Sequence, residues 1–128
     1  MGFMRKQYHL RRSPAGLLAW DVDRLVDLTR DLSPREVPLT QIRELDEAFW
    51  FGGDNIPTCR AVADHARLIF EADLRYPIIL GADGRVMDGM HRAAKAYMEG
   101  RPTISAFQLE VDPPPDYVGV DEESLPYD

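Results

Sequence analysis

Residues 77–100, PIILGADGRVMDGMHRAAKAYMEG, constrain the fold more than any other stretch of this chain. The apolar run Ile78-Ile79-Leu80 meets Gly81-Ala82-Asp83-Gly84, and Arg85-Val86-Met87 follows. Asp-Gly between two apolar segments signals a hairpin, because a tight turn needs residues that tolerate a left-handed backbone. The spacing then predicts a helix from Gly89 to Glu99, with Gly100 at the C′ position and Pro102 beyond. Strand, turn, strand, glycine and helix are therefore laid down within one short segment.

The remaining elements are read around it. Val22, Leu25, Val26, Leu28 and Leu32 recur at helical spacing, with Asp21 or Asp23 as the cap and Ser33-Pro34 as the stop. Glu36 to Ile42 reads as a short strand with an edge-type Pro38. Arg43 to Phe51 is ambiguous, and Gly52-Gly53-Asp54-Asn55 is a loop by composition. Pro57 to Asp73 predicts a second helix capped by Thr58, its buried face carrying Val62, Ala66, Ile69 and Phe70. A last strand runs from Thr103 to Val111, and Pro113-Pro114-Pro115 stops it. Helices and strands are interspersed, so the expected class is α+β, a small mixed sheet packed with three main helices.

Composition bounds the rest. A chain of 128 residues suits one compact domain. The single Cys59 excludes an intramolecular disulfide framework and fits a reducing cytoplasm. No apolar run is long enough to span a membrane, and the N-terminus lacks the apolar core of a signal peptide. The net charge of −7 is unevenly spread. Residues 1–20 carry four cations and no acid, whereas residues 110–128 carry seven acids and no Lys or Arg. Three parts are expected: a basic arm over 1–20, a folded domain over 21–111, and an acidic, Pro-rich tail over 112–128. The arm is read as a solubilising terminus that can touch nucleic acid or an acidic partner, and the tail as disordered. The overall acidity argues against a dedicated duplex-DNA binder.

The chemistry concentrates at Asp88-Gly89-Met90-His91-Arg92. A helix start leaves backbone N–H groups without intrahelical acceptors and favours negative charge. Gly89 lets a ligand approach the backbone, and the N–H groups of Met90, His91 and Arg92 can take phosphate oxygens. Arg92 can add a bidentate contact, His91 can donate or shuttle a proton, and Lys95 lies one turn beyond His91. Asp88 can hold Mg2+, act on a hydroxyl nucleophile, or simply cap the helix. Phe49-Trp50-Phe51 either fills core or stacks a nucleobase. Asp64 and His65 lack a third ligand at metal spacing.

Residues 36–109 resemble the ParB/sulfiredoxin superfamily. The resemblance rests on the order EVPLTQI, acidic segment, amphipathic helix and YPIILGADGRVMDGMHRAAKAYMEG, and most specifically on DGMHRAAKA after the hairpin. It implies a ParB/sulfiredoxin-like fold whose corresponding helix start binds nucleotide phosphates. Sulfiredoxins carry Cys where Met90 stands, and a thioether cannot replace a thiolate nucleophile. Chromosome-partitioning relatives carry a Glu-Arg-Arg type motif and a downstream helix-turn-helix region that this sequence is expected to lack. The motif is most similar to the Asp-Gly-His-His-Arg of ADP-dependent free serine kinases, with Met90 in place of the first His. Those kinases use a Glu shortly after the first strand as a base, which implies Glu44 here, with Glu47 as second choice.

Three functions are therefore carried forward. One is phosphoryl transfer from a nucleotide (ATP, ADP or CTP, with Mg2+) to a small hydroxyl substrate, using Glu44, Asp88 and His91. The second is a non-catalytic nucleotide-sensing or protein-interaction module. The third is a DNA-binding or nuclease-like relative. The position of Glu44 separates the first two: facing the phosphate site favours the kinase, facing away favours the module.

Overall fold

The computed structural model describes residues 6–127. Its strands are β1 (Tyr8–Ser13), β2 (Gly16–Asp21), β3 (Arg35–Pro38), β4 (Ile78–Leu80), β5 (Val86–Asp88), β6 (Thr103–Gln108) and β7 (Tyr117–Val118). Its α-helices are α1 (Val22–Leu28), α2 (Cys59–Glu71) and α3 (Met90–Met98). The class is α+β, with two small sheets among the described residues. No described helix is long and apolar enough to cross a membrane.

The chain divides into two compact units, one holding residues up to Leu32 together with Val111 onward, the other Ser33–Glu110. This differs from the expected arm, domain and tail. In the first unit β1 and β2 form an antiparallel hairpin, and β7 adds to β2 by pairing Leu18 with Val118 and Ala19 with Tyr117. The described part of the basic arm is thus a hairpin, and the acidic segment supplies its third strand. Arg5, which the expected arm includes, lies outside the described residues.

The physical reason is visible in the charges. Asp116 accepts from Arg24 at 2.7 Å and Asp112 lies 3.5 Å from an Arg11 guanidinium nitrogen. Lys6 joins Asp21 and Asp23. Trp20 is buried and donates its indole N–H to Pro113 O at 2.7 Å. The opposite charges of the two ends meet within one unit. Asp21 caps α1, its side chain accepting from the Asp23 N–H.

The second unit carries a four-stranded sheet in the order β3-β6-β4-β5. β4 and β6 run parallel, while β3 pairs β6 and β5 pairs β4 antiparallel. The expected strand over Glu36–Ile42 stops at Pro38 and continues as a 3-10 turn, Leu39–Gln41. Pro38 is tolerated because β3 is an edge strand. A second 3-10 turn, Arg43–Asp46, fills the ambiguous segment. The core gathers Val37, Ile42, Ile78, Leu80, Val86, Met90, Ala93, Ala96 and Ile104.

Thr58 caps α2 as expected, accepting from the Ala61 N–H. The side that α2 buries is not the expected one. Val62 and Phe70 are 49% and 83% exposed, while Ala61, His65, Ile69 and Ala72 are partly buried. Apolar spacing locates a stripe on a helix; it does not say whether anything covers that stripe.

Candidate functional site

The site is built where β5 hands over to α3. Gly89 sits at the helix start with φ 104°, a left-handed conformation, and contributes no capping side chain. A Cβ there would lie 2.6 Å from Ile78 Cγ2, so close packing against β4 also demands glycine. Ala93 donates to Gly89 O at 3.0 Å, so the N–H groups of Met90, His91 and Arg92 precede the first intrahelical bond.

The side chains are arranged differently from the sequence expectation. Asp88 is not the cap. Its Oδ2 accepts from Arg92 Nη2 at 2.8 Å, an i,i+4 pair with both side chains mostly buried. Arg92 Nη1 donates to Tyr76 O at 2.9 Å and Pro77 O at 2.6 Å. Arg92 thereby ties the α3 start to the chain entering β4. Lys95 Nζ donates to Phe70 O at 2.8 Å and Ala72 O at 2.6 Å, a cation placed on the carbonyl end of α2. Both cations expected to grip a phosphate are engaged in holding elements together. Met90 is a core residue.

His91 is the residue that remains at the α3 start with chemistry to offer, and it has an unexpected partner. Its Nε2 lies 2.9 Å from His65 Nδ1, and the two rings are within 18° of parallel. Trp50 stacks on both imidazoles, with ring centroids 4.6 Å from each. Phe51 meets His65 edge-on. The loop before α2 thus lays an indole across a histidine pair contributed by α2 and α3.

One imidazole must donate and the other accept, so the contact is lost only when both rings carry a proton. Burial, then the charge of His65, pushes His91 down to about 4, and burial also lowers His65. An unfolded histidine takes up a proton near pH 6.5, whereas folded His91 does so only near 4. The unfolded state therefore binds more protons in that window, and stability falls as pH drops from about 6.5 to 4. Urea unfolding across that range is expected to show a loss that His91→Gln reduces, about 1–2 kcal/mol once solvent screening at this half-buried ring is allowed for.

Glu44 lies apart from this cluster. Its side chain is 1% exposed, and Oε2 accepts the Val86 N–H at 2.7 Å with Arg85 Nε at 3.5 Å. Glu47 takes both terminal nitrogens of Arg85 at 2.7 Å. Glu44 is thus directed at β5 and Glu47 at the Arg85 side chain just before it, and Oε1 of Glu44 is buried with no hydrogen-bond partner among the described residues. No group of three His, Cys, Asp or Glu able to hold a metal forms among the described residues.

Sequence reasoning singled out Trp50, His65 and His91 separately and missed that they meet. Their separation along the chain leaves no local spacing that reveals the pairing. Compared with known proteins, the chain matches no family model, no curated sequence and no solved structure.

Proposed function

We propose that residues 33–110 form a ParB/sulfiredoxin-like domain that binds a phosphate-bearing ligand, a nucleotide in the first instance, at the start of α3. The observation that carries this reading is a helix start without a capping side chain beside the His91–His65 pair under Trp50. The backbone N–H groups of the first turn suit phosphate oxygens, and a ring N–H of the pair can donate another bond. Trp50 and the imidazoles provide flat surfaces of the kind a base stacks on. Asp88 is neutralised by Arg92, so Mg2+ in this reading arrives on the nucleotide's own phosphates.

The module reading is favoured over transfer because Glu44 is engaged by the Val86 N–H and Glu47 by Arg85. Titration calorimetry with ATP, ADP and CTP, each with Mg2+, and with inorganic phosphate tests the proposal. At least one nucleotide is expected to bind, and His91→Gln is expected to weaken it by about tenfold, the worth of one charge-assisted hydrogen bond. Absence of heat with every probe sinks the reading.

One observation supports phosphoryl transfer as a second reading: the unpartnered Oε1 of Glu44 retains an acceptor lone pair. A coupled assay over small hydroxyl compounds, with Glu44→Gln as the control, decides it. Turnover that Glu44→Gln abolishes establishes the transfer reading.

A further inference from the structure

The exposed face of α2 has an internal symmetry that the proposed ligand site does not use. Cys59, Val62, Ala66 and Phe70 recur at spacings of three and four, so they share one face of the helix, and all four are exposed. Phe70 at 83% exposure and Val62 at 49% are costly apolar groups to leave in water. The small Ala63 and Ala66 lie between them, where a second helix can approach closely.

Along the flank of this face run Arg60, Asp64, Arg67 and Glu71, again at spacings of four, three and four. Their signs alternate from positive to negative, and the order inverts when the helix is read backwards. An antiparallel copy centred between His65 and Ala66 places Arg60 opposite Glu71 and Asp64 opposite Arg67. In the same register Phe70 of one copy falls within one residue of Val62 of the other, with Ala66 beside the crossing. A parallel copy would set like charge against like. Arg60 and Glu71 have no ion pair among the described residues, and Arg67 meets Asp64 only loosely, at 3.6 Å with both side chains largely exposed.

We propose that α2 is the two-fold contact of a homodimer, pairing antiparallel with α2 of a second copy of this chain. Self-complementary charge about a midpoint is what an isologous interface requires, since each residue's partner must find its own equivalent across the axis. A single pair of 13-residue helices buries less than the roughly 1,200 Å2 of standard stable interfaces, so the dimer is a reversible one.

Sedimentation equilibrium of the 128-residue chain from roughly 1 to 500 µM reads this directly. The expected result is a mass rising from monomer towards dimer with concentration. Phe70→Glu and, separately, Val62→Glu are expected to leave only monomer, with far-UV circular dichroism unchanged in at least one of them. Arg60→Glu is expected to weaken the dimer about tenfold, and Arg60→Glu combined with Glu71→Arg to restore it. A chain that stays monomeric throughout overturns the proposal. So does a dimer indifferent to a folded Phe70→Glu or Val62→Glu variant, or one that the double charge reversal fails to restore.

Discussion

Gly89→Ala is expected to destabilise the protein by about 3–5 kcal/mol, enough to unfold a marginal domain at ordinary temperature. Two penalties combine at this position. A non-glycine residue at φ 104° is strained whatever its surroundings, at a cost of about 1–3 kcal/mol. The added Cβ would also meet Ile78 Cγ2 at 2.6 Å and Ile78 Cβ at 2.9 Å. Ile78 is fully buried in the middle of the core and cannot swing aside, so the helix start must move instead. Gly84→Ala is the control. Gly84 has φ 85° but nothing within 4 Å of a built Cβ, so only the backbone strain applies, about 1 kcal/mol. Urea unfolding of both variants measures the difference. Equal losses would show that the close approach to Ile78 is not the constraint. Loss of ligand binding in a still-folded Gly89→Ala variant would tie the same geometry to the site.

The hairpin and the glycine-started helix were legible because their rules are local. A turn dipeptide, an apolar run and a C′ glycine act within a few residues of themselves. The Asp21 and Thr58 caps follow from equally short-range geometry. What stayed hidden depends on pairings between distant parts of the chain. The acidic segment packs because β7 joins β2, putting Val118 beside Leu18, and because Asp112 and Asp116 find Arg11 and Arg24. Composition alone described the two ends as solvated, since it weighs each charge as if no opposite charge were near. The site shows the same division. Gly89 and His91 fall where the motif places them, but Arg92 and Lys95 were read as free cations. Backbone carbonyls of Tyr76, Pro77, Phe70 and Ala72 claim them, and no sequence pattern reveals an exposed carbonyl.

Glu44→Ala is expected to cost about 2–4 kcal/mol, which is large for an acid read from sequence as a catalytic base. β5 is the edge of the sheet, so the Val86 N–H has no strand beyond it to accept its hydrogen bond. Glu44 supplies that acceptor at 2.7 Å from inside the protein. Truncation to alanine strands a buried donor, removes a charge facing Arg85 and leaves a void beside the core. Glu44→Gln keeps an acceptor oxygen for Val86 and is expected to cost only about 1 kcal/mol. Glu47→Ala, which removes a partly exposed partner of Arg85, is expected to leave stability close to wild type. The three variants together separate two roles for one carboxylate. A purely structural Glu44 gives Ala well below Gln in stability, and ligand binding unchanged in the Gln variant. A base gives a Gln variant that is stable and binds nucleotide yet transfers nothing. The buried Oε1 decides between them physically: a base must exchange a proton with substrate, and this oxygen does so only if the edge of β5 opens. Hydrogen exchange at the Val86 N–H measures that opening, and protection close to the global unfolding free energy would remove Glu44 from any catalytic scheme.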